Sequence, residues 1–202
     1  MVKISLVAAL VIALCTGCGT ALKDKQLLAT YDFGLPGQII SDNTTRAIKT
    51  RLEVNAVTAP SWLDSPAILY RLAYQDAARL QPYADSRWAA SPAALMTLRL
   101  RQAIDALGPP ATGSAKQYEL RVTLEEFSQI FDASDSSRVL LRANAKLIND
   151  DDRSTLAERT FAIEHKARTP DAQGAVSALT QASDDFITEL LAWIADLPSI
   201  KN

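Results

Sequence analysis

Period-two alternation governs the second half of this chain. Tyr118, Leu120, Val122 and Leu124 alternate with Glu119, Arg121, Thr123 and Glu125. Successive strand side chains point to opposite faces, so this pattern predicts a strand with one buried and one wet face. At Glu126-Phe127 the apolar phase slips by one and Phe127 and Phe131 take over, which predicts a bulge. Val139, Leu141, Ala143, Ala145 and Leu147 predict a second strand, and Phe161, Ile163 and His165 close a third. Asn149-Asp150-Asp151-Asp152 reads as the turn between them. Three sequential strands with short turns form an antiparallel meander. A sheet with one apolar face must bury it, and the chain offers two helices to do so.

The first helix starts at Ser91-Pro92, where Ser caps free amides and Pro fits the first helical position. Met96, Leu100, Ala103, Ile104 and Leu107 follow at helical spacing, and Gly108-Pro109-Pro110 stops the run. The second helix is marked by Val176, Leu179, Phe186, Ile187, Leu190, Ile194 and Leu197. Its other side carries Asp184, Asp185, Glu189 and Asp196, not the Lys/Arg-rich face of a membrane-surface helix, so it is expected to pack on its own sheet. Earlier in the chain, Tyr31 to Leu35 reads as a short strand ended by Pro36-Gly37. Thr50, Leu52, Val54 and Ala56 form a second, ended by Pro60. Trp62 to Pro66 is a turn with an apolar anchor. Ile68–Tyr74 and Ala78–Tyr83 read as a hairpin around Gln75-Asp76. The expected fold is a two-layer α+β domain, a largely antiparallel sheet with two helices on one face, spanning residues 31–198.

The start of the chain sets its compartment. Lys3 precedes an apolar run from Ile4 to Leu14, too short to span a bilayer and about the length of a signal sequence's apolar region. Thr16 and Gly17 then place small residues before Cys18, a pattern that resembles a lipobox, with Cys15 where Leu is usual. The resemblance implies a signal peptide over residues 1–17, acylation of Cys18, and a tether over residues 18–30. Gly19 follows the acylated position. The absence of Asp there points to the outer membrane, facing the periplasm. Cys15 and Cys18 also have CxxC spacing, but they end a leader instead of opening a helix after a strand, so a redox pair is not expected. With both cysteines consumed, the core alone holds the fold.

Composition excludes several functions. The formal net charge is −2 and loss of Lys3 makes it more negative; no basic stripe exists for nucleic acid. Asp150-Asp151-Asp152 lacks calcium-loop spacing and is expected to be a solvated turn. His165 is the only histidine, with no nucleophile motif beside it and no second histidine for zinc. It is expected to be structural; a periplasmic hydrolase using it ranks last among the functions considered. No catalytic, cofactor or metal site is expected. Trp193 reads as packing, while Trp62 and Trp88, read as loop residues, can anchor loops or face a partner.

The central segment resembles the ABC-type transport auxiliary lipoprotein family of PqiC-like intermembrane transport lipoproteins. The likeness lies in the lipobox, Tyr31, the turn Pro60-Ser61-Trp62-Leu63-Asp64-Ser65-Pro66, the strand Ile68-Leu69-Tyr70-Arg71, and the helix start Arg87-Trp88-Ala89-Ala90-Ser91-Pro92. Ala93 and Ala94 stand where the family usually has Leu. The resemblance implies a non-catalytic subunit that docks an MCE-domain periplasmic protein, in some systems with an ABC permease and ATPase. It also implies a homo-oligomer as one arrangement. Trp62, Leu63 and Trp88 are the candidate docking residues. The rival reading is an envelope scaffold or assembly lipoprotein without a lipid-transport partner.

Overall fold

The computed structural model describes residues 28–35, 48, 50–108 and 116–201. The leader, Cys18 and residues 19–27 of the tether lie outside them. The strands are β1 (Ala29–Tyr31), β2 (Arg51–Val54), β3 (Ala67–Leu72), β4 (Leu80–Trp88), β5 (Gln117–Ala133), β6 (Ser136–Asn149) and β7 (Thr155–Lys166). The helices are α1 (Ala73–Asp76), α2 (Pro92–Asp105), α3 (Ala172–Asp196) and α4 (Pro198–Lys201). All seven strands join one sheet in the order β1-β4-β3-β5-β6-β7, with β2 also on β5. The chain is an α+β fold.

The meander β5-β6-β7 is antiparallel throughout, and so is the β3-β4 hairpin. The remaining pairings are parallel: β1 on β4, β2 on β5 and β3 on β5. The sheet is therefore mixed, because the chain leaves β4, runs through α2 and re-enters beside β3 in the same direction, as a helical crossover permits. β5 is long enough to serve two parallel neighbours on one edge. β2 lies along Gln117–Leu120, Thr58 bridges to Thr123, and β3 lies along Gln129–Phe131. The expected bulge falls between Leu124 and Glu126.

On the helix-facing side of the sheet, Leu120, Leu124, Leu141, Ala143 and Leu147 are fully buried. α3 lies across β6 and β7, and α2 packs beside it against β2. Ser91 caps α2, accepting from the Ala94 amide, and Asp171 caps α3, accepting from the Gly174 amide at 2.8 Å. That last bond, with another from the Thr169 hydroxyl, holds the Asp171 carboxyl below its usual range. Gly174 is required there, since a Cβ would sit 2.0 Å from the Thr169 carbonyl oxygen. Gly108, at φ +81°, turns the chain out of α2.

Three local expectations are corrected. The first strand is Ala29–Tyr31, not Tyr31–Leu35, because Asp32 accepts from the Gly34 amide at 2.8 Å and turns the chain so that Phe33 enters the core. The hairpin tip carries the short helix α1. Strand β4 runs on to Trp88, which therefore stands in the sheet and not in a loop.

Candidate docking site

The turn from Pro60 to Pro66 is held by its own backbone. The Leu63 amide donates to the Pro60 carbonyl at 2.8 Å and the Trp88 amide to the Pro66 carbonyl at 2.7 Å. This geometry separates the three candidate docking residues. Leu63 and Trp88 are each 1% exposed and cannot meet a partner; Trp62 is 42% exposed. Trp88 stacks edge-on against Phe33 at 5.5 Å and tilted against Phe127 at 5.8 Å, an aromatic knot that closes the core under β1. Its indole Nε1 finds no hydrogen-bond partner among the described residues.

Trp62 lies over the Arg71 guanidinium, 6.0 Å from ring centroid to carbon. Arg71 donates to Glu126 Oε2 at 3.0 Å and reaches the carbonyls of Ala77 and Ala78 at 3.5 and 3.4 Å. Arg71 and Glu126 both point to the open side of the sheet, so the site is an exposed indole on a fixed cation, anchored to the bulge in β5. Beneath it, Ser128 is fully buried, and neither its hydroxyl nor Glu126 Oε1 has a partner among the described residues.

Other charged groups tie elements together. Arg99 on α2 is 3% exposed and donates to Asp184 on α3 at 2.8 and 3.1 Å. It also donates to the carbonyls of Phe33, Gly34 and Leu35 at 3.1, 3.1 and 3.5 Å. One guanidinium thus holds both helices and the chain leaving β1. The sequence reading missed it, although a lone Arg on the apolar stripe of α2, between Leu95 and Ala103, is a signal that it is paired. His165 Nε2 lies 2.7 Å from Asp185 Oδ2, joining β7 to α3. Trp193 packs edge-on to Phe161 at 6.0 Å.

At the far end of the sheet, Glu119 accepts from Arg121, Asn55 and, at 2.7 Å, Arg153. The hydrogen bond from Arg121, with the nearby positive charges, holds its carboxyl below the usual range. Arg153 also reaches Asp150 at 3.1 Å, and Asp152 accepts from the Ser154 amide and hydroxyl. The acidic run is thus a hydrogen-bonded turn. Among the described residues, no group of three or more His, Cys, Asp or Glu is placed to hold a metal, and no helix is long and apolar enough to cross a membrane.

The arrangement is a mixed sheet with two helices packed on one face and an exposed indole over the other. The family model of ABC-type transport auxiliary lipoprotein components matches residues 33–190. The chain belongs to that family, whose role is auxiliary to transport and not catalytic. Among solved structures, it is similar to protein XCC0632 from Xanthomonas campestris at 22% identity and a TM-score of 0.67, covering 86% of this chain and 94% of that one. A second, of an uncharacterized protein, has 17% identity and a TM-score of 0.63, covering 83% and 99%. At such identities the likeness speaks for the fold. A search of curated proteins finds no match.

Proposed function

We propose that this protein is the non-catalytic lipoprotein subunit of an intermembrane lipid transport system. It is anchored through acylated Cys18 at the periplasmic face of the outer membrane, where it docks an MCE-domain component. The observation that carries the reading is the family match over residues 33–190. An ABC permease and ATPase complete the partner set. The mechanism is confinement: an acyl tether holds the domain at the membrane and raises its effective concentration for a partner reaching that surface. Trp62 is the docking contact that remains exposed.

Deleting the gene tests the role. Sensitivity to detergents and organic solvents should rise, and wild-type but not Cys18→Ser protein should restore the barrier. An intact barrier across several such assays contradicts the proposal.

A further inference from the structure

On the open face, one place sets like charges side by side. Arg121 of β5 and Lys146 of β6 are directly opposite in the antiparallel ladder. At such a pair the Cα atoms are about 5 Å apart, both side chains leave on the same side, and like charges repel. Each cation is paired sideways instead. Arg121 gives Nε and Nη2 to Glu119 along its own strand, and Lys146 lies 3.3 Å from Glu158 on β7. Between the two remains a cavity of about 270 Å³.

The rest of its lining is polar. Thr123 and Asn144 are the next opposite pair on this side. The remaining wall is the chain after β2. There the Asn55 amide donates to the Leu120 carbonyl at 3.2 Å and the Thr58 amide to the Val122 carbonyl at 3.0 Å. Val57 between them turns inward, its amide donating to the buried Thr97 hydroxyl at 2.8 Å. Ala56 is left exposed at the crest of this arch, and its amide has no partner among the described residues. The hydroxyls of Thr58 and Thr123 meet at 3.0 Å, while the carboxamides of Asn55 and Asn144 donate to Glu119 and Thr160. A guanidinium carries five N–H donors, an ammonium three and a carboxamide two, so these bonds leave donors over on all four side chains.

No carboxylate lines the cavity. Glu119 and Glu158 sit at its margin on the lining cations, and Glu53, Glu125, Arg142 and Arg153 stand outside the lining. The surrounding charge is mixed, so what the cavity offers is placement and not a long-range field. Its one large apolar residue, Val122, is 2% exposed, and the volume falls below the roughly 300–1,000 Å³ of sites for drug-sized ligands. An acyl chain has no floor here. A small anion with several oxygens accepts from both cations at once and relieves their repulsion.

We propose that this cavity binds a phosphate group, carried by a phospholipid headgroup or free in solution, between Arg121 and Lys146 with Asn55 and Asn144 donating at the sides. The Lys146–Glu158 pair is exposed on both sides, so its ammonium turns to the anion at small cost. Arg121 keeps Glu119 and offers its remaining N–H donors. The site needs neither acylation of Cys18 nor an MCE-domain partner, so it holds or fails apart from the transport role.

The test titrates the isotope-labelled full-length protein, in dodecyl maltoside micelles, with inorganic phosphate and separately with glycerophosphoethanolamine, a headgroup without acyl chains. Sodium chloride at matched ionic strength is the control. Saturable shifts of the Ala56, Thr123 and Asn144 amide resonances are expected. Lys146→Gln and Arg121→Gln should each weaken binding about tenfold, the loss of a hydrogen bond to a charged group. Arg138→Gln, on the same face outside the cavity, should leave it unchanged. Urea unfolding checks that each variant folds, and Lys146, exposed and in a single weak pair, supplies the variant least able to disturb the fold. Saturation by both ligands supports the site and assigns it to headgroups; saturation by inorganic phosphate alone supports the site and assigns it to the free anion. No saturable shift with either ligand, or undiminished binding in folded Lys146→Gln, overturns the proposal.

Discussion

The two faces of the sheet are built from the same strands and do opposite work. On the covered face, Leu120, Leu124, Leu141 and Leu147 interlock with Phe186, Leu190 and Ile194 of α3, all fully buried. On the open face, the intervening Arg121, Thr123, Arg142 and Lys146 are solvent-exposed or ion-paired. Apolar burial stabilises in proportion to area, whereas exposed ion pairs contribute little. The difference teaches that most of the stability resides on one side, while the other is held largely by polar and charged groups.

The largest expected effect lies on the covered face. Phe186→Ala removes a ring packed edge-on to Phe161 at 5.3 Å and should cost about 3–5 kcal/mol in urea unfolding. A cost below 1 kcal/mol would mean that the covered face is not where stability resides. Next comes the polar bond within that layer. Arg99→Met leaves Asp184 and three carbonyls without their donor and should cost about 2–4 kcal/mol, somewhat below a fully buried pair because the Asp184 side chain keeps 28% exposure. Adding Asp184→Leu should recover part of that loss.

The third effect is read as a pH dependence in acid. The Glu119 carboxyl is held below its usual 4.5, so its contribution is fully present above that value and is lost as pH falls through the lowered one. Acid titration of stability should therefore be shallower in Glu119→Gln than in wild type; superimposable curves would show that the cluster does not couple to folding. The smallest effect is Lys146→Ala on the open face. Its 3.3 Å pair with Glu158 joins two side chains each 46% exposed, and its loss should change stability by less than about 0.5 kcal/mol. A larger change would blur the contrast between the faces.

Much of this was legible in the sequence because it is local. The alternation from Tyr118 to Leu124, the phase slip at Glu126, the Ser91-Pro92 cap and the stripe of α3 each follow from a few neighbouring residues, and all appear in the structure. What was not legible is long-range. The parallel pairings of β2 and β3 with β5 depend on how α2 returns the chain, and that of β1 with β4 on how the intervening chain folds, which no local pattern encodes. The C-terminal part of β5 is buried on both faces at Ser128 and Gln129, where polar residues hide the strand's role. Gln129 is satisfied by distant groups, accepting from the Tyr83 hydroxyl at 2.6 Å and donating to Ser137 at 2.8 Å. Burial drives the Tyr83 phenol above its ordinary range. The docking candidates divide for the same reason. Adjacent residues Trp62 and Leu63 look equally apolar in sequence, yet the turn sends Leu63 inward and leaves Trp62 over Arg71.

The most direct measurement places a photo-crosslinking residue at position 62 in the acylated protein in cells, followed by purification and mass spectrometry. The expected result is a crosslink to an MCE-domain protein, absent when the probe stands at exposed Leu98 on α2. Recovery of only outer-membrane assembly proteins or peptidoglycan, from protein shown to be acylated at Cys18, would contradict the transport role.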